Sequence, residues 1–209
     1  MLFLVLLLLC AATVPLAGGR LAPLADLRFR GVGLLAGALG VQVLILAVLD
    51  DADPTLLGAV HIGTFLAAGA FIVANRRVPG VPLIGLGGGL NATAIIANGG
   101  VMPARAGALE AAGRPVAEES FRNSAAVADP HLLWLGDTLA IPSGVPLANV
   151  FSVGDVVLVL GVLVLLHVTC ETAPGAALSR RRGRSPHRPR LRPALARERS
   201  RAEPGEGRR

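Results

Sequence analysis

Two asparagines in an apolar stretch, Asn91 and Asn98, are the first residues whose type and spacing could support chemistry. They are seven residues apart, so in a helix both amides point the same way. Gly87 and Ala94 fall on the same stripe, which makes a flat small-residue surface with amides set into it. In lipid, an amide facing hydrocarbon is costly, and one facing other helices joins them or forms a site. We therefore predict that this stretch is the central helix of a membrane bundle.

Other polar residues add to this candidate site. An ionisable group inside an apolar segment indicates function by default, and Asp155 is the strongest residue by that argument. A packing role is the competing interpretation, because Asp155 suits a helix N-terminus that Ser152 could cap, and Asn98 precedes two glycines that can end a helix. The sequence leaves both interpretations open. The candidate polar pocket comprises Asn91, Asn98, Asp155, His61, Ser152, Asp137 and His131.

The elements that must position these residues are five apolar segments. Hydrophobic residues make up 53% of the 209-residue chain and the mean hydropathy is +0.62, which indicates a membrane protein. We expect an all-α polytopic helix bundle within residues 1–170, with an outer loop over 102–149 and a disordered Arg/Pro-rich tail over 171–209. The predicted transmembrane spans are residues 2–17, 31–49, 55–74, 81–101 and 150–168.

The distribution of charge predicts the orientation. The first and third connections carry arginine, the second carries Asp50, Asp51 and Asp53, and the tail is strongly basic. By the positive-inside rule the N-terminus is outside and the C-terminus is cytoplasmic. The tail either only enforces this topology or also binds anionic lipid headgroups. Nucleic-acid binding is not expected, because the tail lacks aromatic residues for stacking. The candidate headgroup-binding arginines are Arg180, Arg181, Arg182 and Arg184.

The two cysteines predict neither a disulfide framework nor a metal site. Cys10 and Cys170 lie in or at the end of different apolar segments, and neither has neighbours with metal-ligand spacing. A glycine-rich run at residues 85–89 is not a phosphate loop, because no strand precedes it and the chain contains no lysine. We therefore expect no cofactor.

Three short motifs carry a family resemblance. They are Asn91…Asn98-Gly-Gly-x-Met-Pro103, then Trp134-Leu-Gly-Asp137, then Ser152-Val-Gly-Asp155. Together they resemble a family of small bacterial multi-span membrane proteins known only as domain of unknown function 5317, over roughly residues 1–170. The resemblance implies a location in the bacterial cytoplasmic membrane and no particular chemistry.

Catalysis is the main alternative to binding. The segment around Asp155 is loosely similar to the signature of one catalytic aspartate in bacterial lipoprotein signal peptidases. Such chemistry needs a second carboxylate sharing a proton, and Ala94 stands where that residue would be. Asp137 or an aspartate of the second connection would have to replace it, so no catalytic residue is assigned.

Three function classes remain. The preferred one is a non-enzymatic membrane protein whose outer-leaflet pocket binds a small ligand, a lipid headgroup or a partner. The alternatives are an intramembrane or interfacial hydrolase using Asp155, and a small transporter. Five spans provide no inverted-repeat pair, so a transporter would have to oligomerise.

Overall fold

The chain is mostly helical. A computed structural model describes residues 2–47, 53–116 and 124–181. Two short 3₁₀ helices, Ala22–Asp26 and Leu133–Leu135, lie between longer elements. The α-helices are α1 (Leu2–Leu16), α2 (Val32–Ala47), α3 (Pro54–Ala74), α4 (Val81–Ala97), α5 (Ala106–Ala111), α6 (Val153–Thr169) and α7 (Ala173–Arg181).

The connection between α4 and α6 also contains short strands. Strand β1 (Met102–Pro103) pairs in parallel with β2 (Ser124–Ala125), and β3 (Leu139–Ile141) pairs antiparallel with β4 (Asn149–Phe151). These pairings satisfy backbone polar groups in a segment that does not form a long helix. The all-α expectation is therefore too narrow, and the fold is mostly helical with two small sheets in its longest connection.

The five apolar segments coincide with α1, α2, α3, α4 and α6, although within the described residues two boundaries differ by three or more residues from those predicted. The central helix α4 ends at Ala97 rather than at residue 101, because Asn98 is its C-cap and Gly99 has a φ of 67°. The last apolar helix begins at Val153 rather than at residue 150, because residues 149–151 form β4.

Helix length does not support five complete crossings. Among the described helices, only Thr55–Ala74 is both long and apolar enough to span a bilayer. Val153–Thr169 and Ala173–Arg180, which meet at a bend of 93°, could together form a second, broken span. The other apolar helices are shorter, and a 17-residue helix such as α4 is only about 25 Å long against a hydrocarbon core of about 30 Å.

Part of the predicted tail and of the second connection lies outside the described residues. These residues include Asp50, Asp51, Arg182 and Arg184, as well as the rest of the segment 182–209. The first part of the segment predicted to be disordered contains α7, which follows α6 after a turn at Glu171, where φ is 51°.

Contacts between the helices define two ends of the bundle. Helix α1 runs parallel to α6, since Leu6 lies beside Val156 and Val14 packs with Leu166. Helix α4 runs antiparallel to α6, because Gly80 faces Gly161. We call the end formed by residues 17–31, 75–80 and 170–181 the arginine end. The opposite end, which carries residues 98–152, is the loop end.

Glycines allow α4 and α6 to touch along their backbones. A Cβ added to Gly87 would lie 2.5 Å from the carbonyl oxygen of Gly154 and 2.5 Å from the backbone nitrogen of Leu158. About two helical turns away, Gly80 and Gly161 approach each other in a similar way. Small residues that let helix backbones approach are typical of helix pairing in membranes. Close backbone packing therefore joins α4 to α6 at two places along their length.

An asparagine joins α3 to the segment that precedes α2. The backbone nitrogen of Arg30 donates to Asn75 Oδ1 at 2.8 Å, and Asn75 Nδ2 donates to the carbonyl oxygens of Arg30 and Phe71. Nearby, the rings of Phe29 and Phe71 are 5.8 Å apart. The buried amide therefore supplies a hydrogen-bond donor to a carbonyl oxygen in the last turn of α3. It also fixes the start of α2 in one arrangement.

We predict that Gly87→Ala will destabilise the protein by about 1–3 kcal/mol or more, because the added methyl would push α4 and α6 apart. The matched control is Gly88→Ala, where a Cβ meets nothing within 4 Å. That substitution should be neutral or stabilising by up to about 1 kcal/mol, since alanine favours helix. Thermal unfolding of both variants in detergent measures the difference. Equal unfolding temperatures would contradict the described helix contact.

Candidate functional site

Three of the predicted pocket residues form one closed hydrogen-bond network between α4 and α6. Asn91 Nδ2 donates to Asp155 Oδ1 at 2.8 Å, and Ser152 Oγ donates to Asn91 Oδ1 at 2.8 Å. Ser152 is fully buried. Gly154 faces Asn91 so closely that a Cβ at this position would overlap the amide oxygen. The glycine is what lets the Asn91 side chain reach between the helices.

The same aspartate and serine begin α6. The Asp155 backbone nitrogen donates to Ser152 Oγ at 3.0 Å, and the Ser152 backbone nitrogen donates to Asp155 Oδ2 at 2.9 Å. This reciprocal arrangement is a capping box, here with aspartate at the third helical position. The prediction that Ser152 caps this helix is confirmed. Both oxygens of Asp155 accept hydrogen bonds, one from the helix start and one from α4.

Asn98 does not join this network. It is the C-cap of α4, and its Nδ2 donates to the carbonyl oxygen of Ala94 at 2.7 Å and to that of His131 at 2.8 Å. The His131 backbone nitrogen donates to Asn98 Oδ1 at 2.9 Å. The next residue, Leu132, has a φ of 55°, a conformation that is unfavourable for a branched side chain. Asn98 therefore clamps the loop backbone, while the His131 side chain is exposed.

His61 contacts the turn that follows α4. Its Nδ1 lies 2.8 Å from the carbonyl oxygen of Gly100, and its ring centroid is 5.2 Å from that of Phe65. Gly58 packs directly against Gly100, whose φ is 100°. With 1% of its surface exposed, His61 is part of the contact between α3 and this turn.

Asp137 is buried in the loop, near Asp155 but with different hydrogen-bond partners. Ser124 Oγ donates to Asp137 Oδ2 at 2.6 Å, and the carboxylate is 5% exposed. Burial raises the pKa of Asp137 to about 6, with a smaller upward contribution from the charge of Asp155 and opposing effects of the Ser124 hydrogen bond and of Arg114. This loop carboxyl therefore titrates closer to neutrality than an ordinary aspartate.

The predicted residues consequently gather at the loop end but do not line one polar pocket. Direct hydrogen bonds join Asn91, Ser152 and Asp155, whereas Asn98, His61 and Asp137 each bind a different part of the loop or turn. Within the described residues, every buried side-chain nitrogen and oxygen has a hydrogen-bond partner. The sequence left two interpretations open, a ligand site and an interhelical hydrogen-bond network. These contacts resemble the interhelical network.

A cleft of about 230 Å³ lies on the other side of Asp155, between α1, α6 and the β3–β4 hairpin. Asp155 is the one member of the predicted pocket that borders it. The sequence does not reveal this cleft, because apolar residues from distant segments form its walls and no spacing rule connects them. The remaining lining residues are Leu6, Ile141, Phe151, Val156, Val159 and Leu160.

A second polar cluster, at the arginine end, was also missed. His167 Nε2 lies 2.9 Å from Thr13 Oγ1 and His167 Nδ1 lies 2.9 Å from Thr172 Oγ1, so the imidazole joins α1, α6 and the start of α7. Thr13 Oγ1 also donates to the carbonyl oxygen of Cys10 at 2.6 Å, which leaves it to accept from Nε2–H. Across the described residues, no group of three or more histidine, cysteine or acidic side chains could hold a metal ion.

Comparison with known proteins identifies a family and no function. The profile of a family of unknown function, DUF5317, matches residues 26–167. The chain belongs to this family. No curated protein matches the sequence, and no solved structure matches it either.

The DUF5317 match contains α2 to α6 up to His167, with the Asn91–Ser152–Asp155 network and the Asn98 clamp. The predicted resemblance extended over residues 1–170, whereas α1 precedes the matched region. Leu6, which forms one wall of the apolar cleft, is therefore outside the part of the chain shared with the family.

We predict that Asn91→Asp will destabilise this DUF5317 protein at neutral pH by roughly 3 kcal/mol, because two carboxylates would face each other between α4 and α6. Adding Asp155→Asn should recover most of the loss, since the exchanged pair restores one amide and one carboxylate. Unfolding measurements on both single variants and the double variant give the interaction energy. Additive effects would contradict the contact between Asn91 and Asp155.

We predict that Asp137 makes stability depend on pH between about 4 and about 6. Its pKa is raised from 3.8 to about 6, so the folded state binds more protons in this range and loses stability as the pH rises. The loss approaches about 3 kcal/mol at neutral pH.

The Asp137→Asn variant, whose amide oxygen can still accept from Ser124, should lack this component and be more stable than the wild type at pH 7. Unfolding should be compared across this range, with Asp129→Asn as the control for an exposed loop carboxylate. The prediction fails if the two variants have the same pH profile.

Proposed function

We propose that this chain is a multi-pass protein of the bacterial cytoplasmic (inner) membrane, with five crossings, an outside N-terminus and a cytoplasmic C-terminus. The proposed crossings are α1, α2, α3, α4 and α6. Neighbours in sequence from α2 to α4 run antiparallel, as Gln42–Thr64 and Ile72–Gly85 contacts indicate. Alternating directions are what successive crossings require, and shorter helices can be accommodated by local thinning of the bilayer.

Exposed apolar side chains support this proposal. Leu8, Val43 and Leu66 are 61%, 65% and 68% exposed on α1, α2 and α3 respectively. Contiguous apolar surface of this kind on several helices is unfavourable in water and indicates contact with lipid or with another protein.

The two ends also differ in charge, in the sense that the positive-inside rule requires. Among the described residues, the arginine end carries the exposed arginines Arg20, Arg28, Arg30, Arg76, Arg77 and Arg180, against the acids Asp26 and Glu171. The loop end and the adjoining helix termini carry Asp53, Arg105, Glu110, Arg114, Asp129, Asp137 and Asp155. The arginine end would therefore face the cytoplasm.

Within this membrane protein we propose a non-enzymatic binding role, in which the cleft between α1 and α6 holds an acyl chain of a lipid or another amphiphile. The cleft is the observation that carries this proposal, because its walls are aliphatic except for Phe151 and Asp155. Its volume of about 230 Å³ is below the usual range for a whole small-molecule pocket and suits a segment of hydrocarbon chain. The exposed leucines of α1 place its rim next to the proposed lipid-facing surface.

The polar residues at the loop end favour binding over catalysis. An aspartyl hydrolase needs two carboxylates that share a proton around a water molecule. Asp155 and Asp137 are close enough to influence each other electrostatically, but their described hydrogen bonds go to Asn91, Ser152 and Ser124. The Asp155 carboxylate thus accepts a hydrogen bond from the backbone at the start of α6. Transport remains an alternative that no contact within the described residues favours.

We predict that a phospholipid with a photoreactive acyl chain will crosslink to the cleft residues Phe151 and Leu160 in membranes. Leu160→Trp should reduce this labelling severalfold, because the indole would fill the cleft from its half-exposed rim. Leu66→Trp, which changes an exposed leucine of α3, is the matched control and should label like the wild type. Peptide mapping by mass spectrometry gives the labelled sites. Unchanged labelling of Leu160→Trp would overturn the acyl-chain proposal.

A further inference from the structure

Positive charge is concentrated at the arginine end, away from the apolar cleft. Six of the arginines whose side chains the structure describes are exposed there, and they come from three separate parts of the chain. They are Arg20, Arg28, Arg30, Arg76, Arg77 and Arg180. The acids on the same segments are Asp26 and Glu171, so the charge of this surface is positive even without residues 182–209.

Specific contacts hold these segments in place. The Asn75 clamp fixes the backbone of Arg30 next to the turn that bears Arg76 and Arg77. Leu24 packs against the cluster that contains Val14 and Cys170 at the ends of α1 and α6. The arginines are therefore presented by a folded surface, so less conformational entropy is lost on binding than with a disordered basic tail.

Helix α7 lies across this end. Its axis is bent by 93° from that of α6, so it runs along the membrane plane if α6 crosses the bilayer. Thr172 is completely buried and anchors the bend, because its hydroxyl contacts His167 Nδ1 and accepts from the backbone nitrogen of Gly175 at 3.1 Å. Leu178 and Arg180 are both exposed on α7, a combination typical of a helix at the membrane interface.

We infer that the arginine end is a binding surface for the phosphate groups of anionic phospholipids in the cytoplasmic leaflet. Guanidinium groups bind phosphate with paired, charge-assisted hydrogen bonds. Several of them lie here next to the ends of the proposed crossings, where headgroups would be. The inference rests on the proposed membrane topology, but it concerns the end opposite to the acyl-chain cleft. It also differs from binding by the tail alone, since five of the six arginines precede α6.

The test compares lipids retained by the full-length protein when it is offered equal amounts of phosphatidylglycerol and phosphatidylcholine with the same acyl chains. Native mass spectrometry counts the adducts. The wild type should prefer phosphatidylglycerol by about tenfold or more, given the attraction of several arginines to anionic headgroups. Arg28→Gln combined with Arg76→Gln and Arg77→Gln removes half of the six arginines and should lower this ratio severalfold.

The matched control is Arg105→Gln with Arg114→Gln, which removes exposed arginines from the loop end and should leave the ratio unchanged. If the triple variant kept the wild-type ratio, binding would belong to residues 182–209 or to no defined surface, and the inference would be overturned. An equal loss in the loop-end control would overturn it too.

A second measurement separates this inference from the topology on which it rests. The Arg77→Cys variant should react with a membrane-impermeant maleimide only after the cells are opened, whereas the Gly144→Cys variant should react on intact cells. Labelling of the Arg77 position from outside would overturn the assignment to the cytoplasmic leaflet, whatever the lipid ratio. Loss of photolabelling in the α1–α6 cleft with normal lipid selectivity would instead overturn the acyl-chain proposal alone.

Discussion

The close approach of α4 and α6 is the constraint on which the rest of the structure depends. Gly87 and Gly154 bring the two backbones together, and the space saved by Gly154 is filled by the Asn91 side chain. A polar amide in such a contact is unfavourable unless both its nitrogen and its oxygen have hydrogen-bond partners. Ser152 and Asp155 supply them while they also cap α6. The glycines that allow the close packing and the residues that satisfy the Asn91 amide therefore belong to one contact.

Two asparagines make the same pattern of hydrogen bonds at opposite ends of the bundle. Asn75 and Asn98 each cap a helix, donate to the carbonyl four residues earlier, and bind both backbone groups of a residue far along the chain. In each case the clamped residue is followed by a positive φ, at Gly31 and at Leu132. An amide offers a donor and an acceptor side by side, so it can replace a missing backbone partner at a helix end. The repetition explains why these connections keep a defined path.

The sequence predicted the positions of the five apolar helices well, because unbroken runs of leucine, valine and alanine are a strong signal. It also offered Ser152 as a cap of α6 and Asn98 as a stop for α4, since capping depends on adjacent residues, although the predicted spans of 81–101 and 150–168 included both residues. What it could not predict was the partner of each polar side chain. Asn91 and Asn98 share a helical stripe, yet the helix ends between them, and they bind different elements.

Non-local contacts account for the remaining differences. The strands in the connection between α4 and α6 contain only two or three residues each, too few for a recognisable alternation. The apolar cleft joins α1 to residues about 135 or more positions away, so no window of sequence contains it. Asn75 gave no signal beyond an ordinary turn before two arginines, although it organises the arginine end.

These contacts give the two ends of the bundle different chemical surfaces. At the loop end, Asp155 and Asn98 make their hydrogen bonds to helix ends and to the loop backbone. The cleft beside Asp155 is lined mainly by apolar side chains. At the arginine end, the polar groups of His167, Thr172 and Asn75 hold the backbone, and the guanidinium groups stay exposed. A ligand at the first end would therefore be recognised by its hydrocarbon, and one at the second by its negative charge. Hydrocarbon and negative charge are the two halves of a phospholipid, which is why we propose the same class of ligand for both ends.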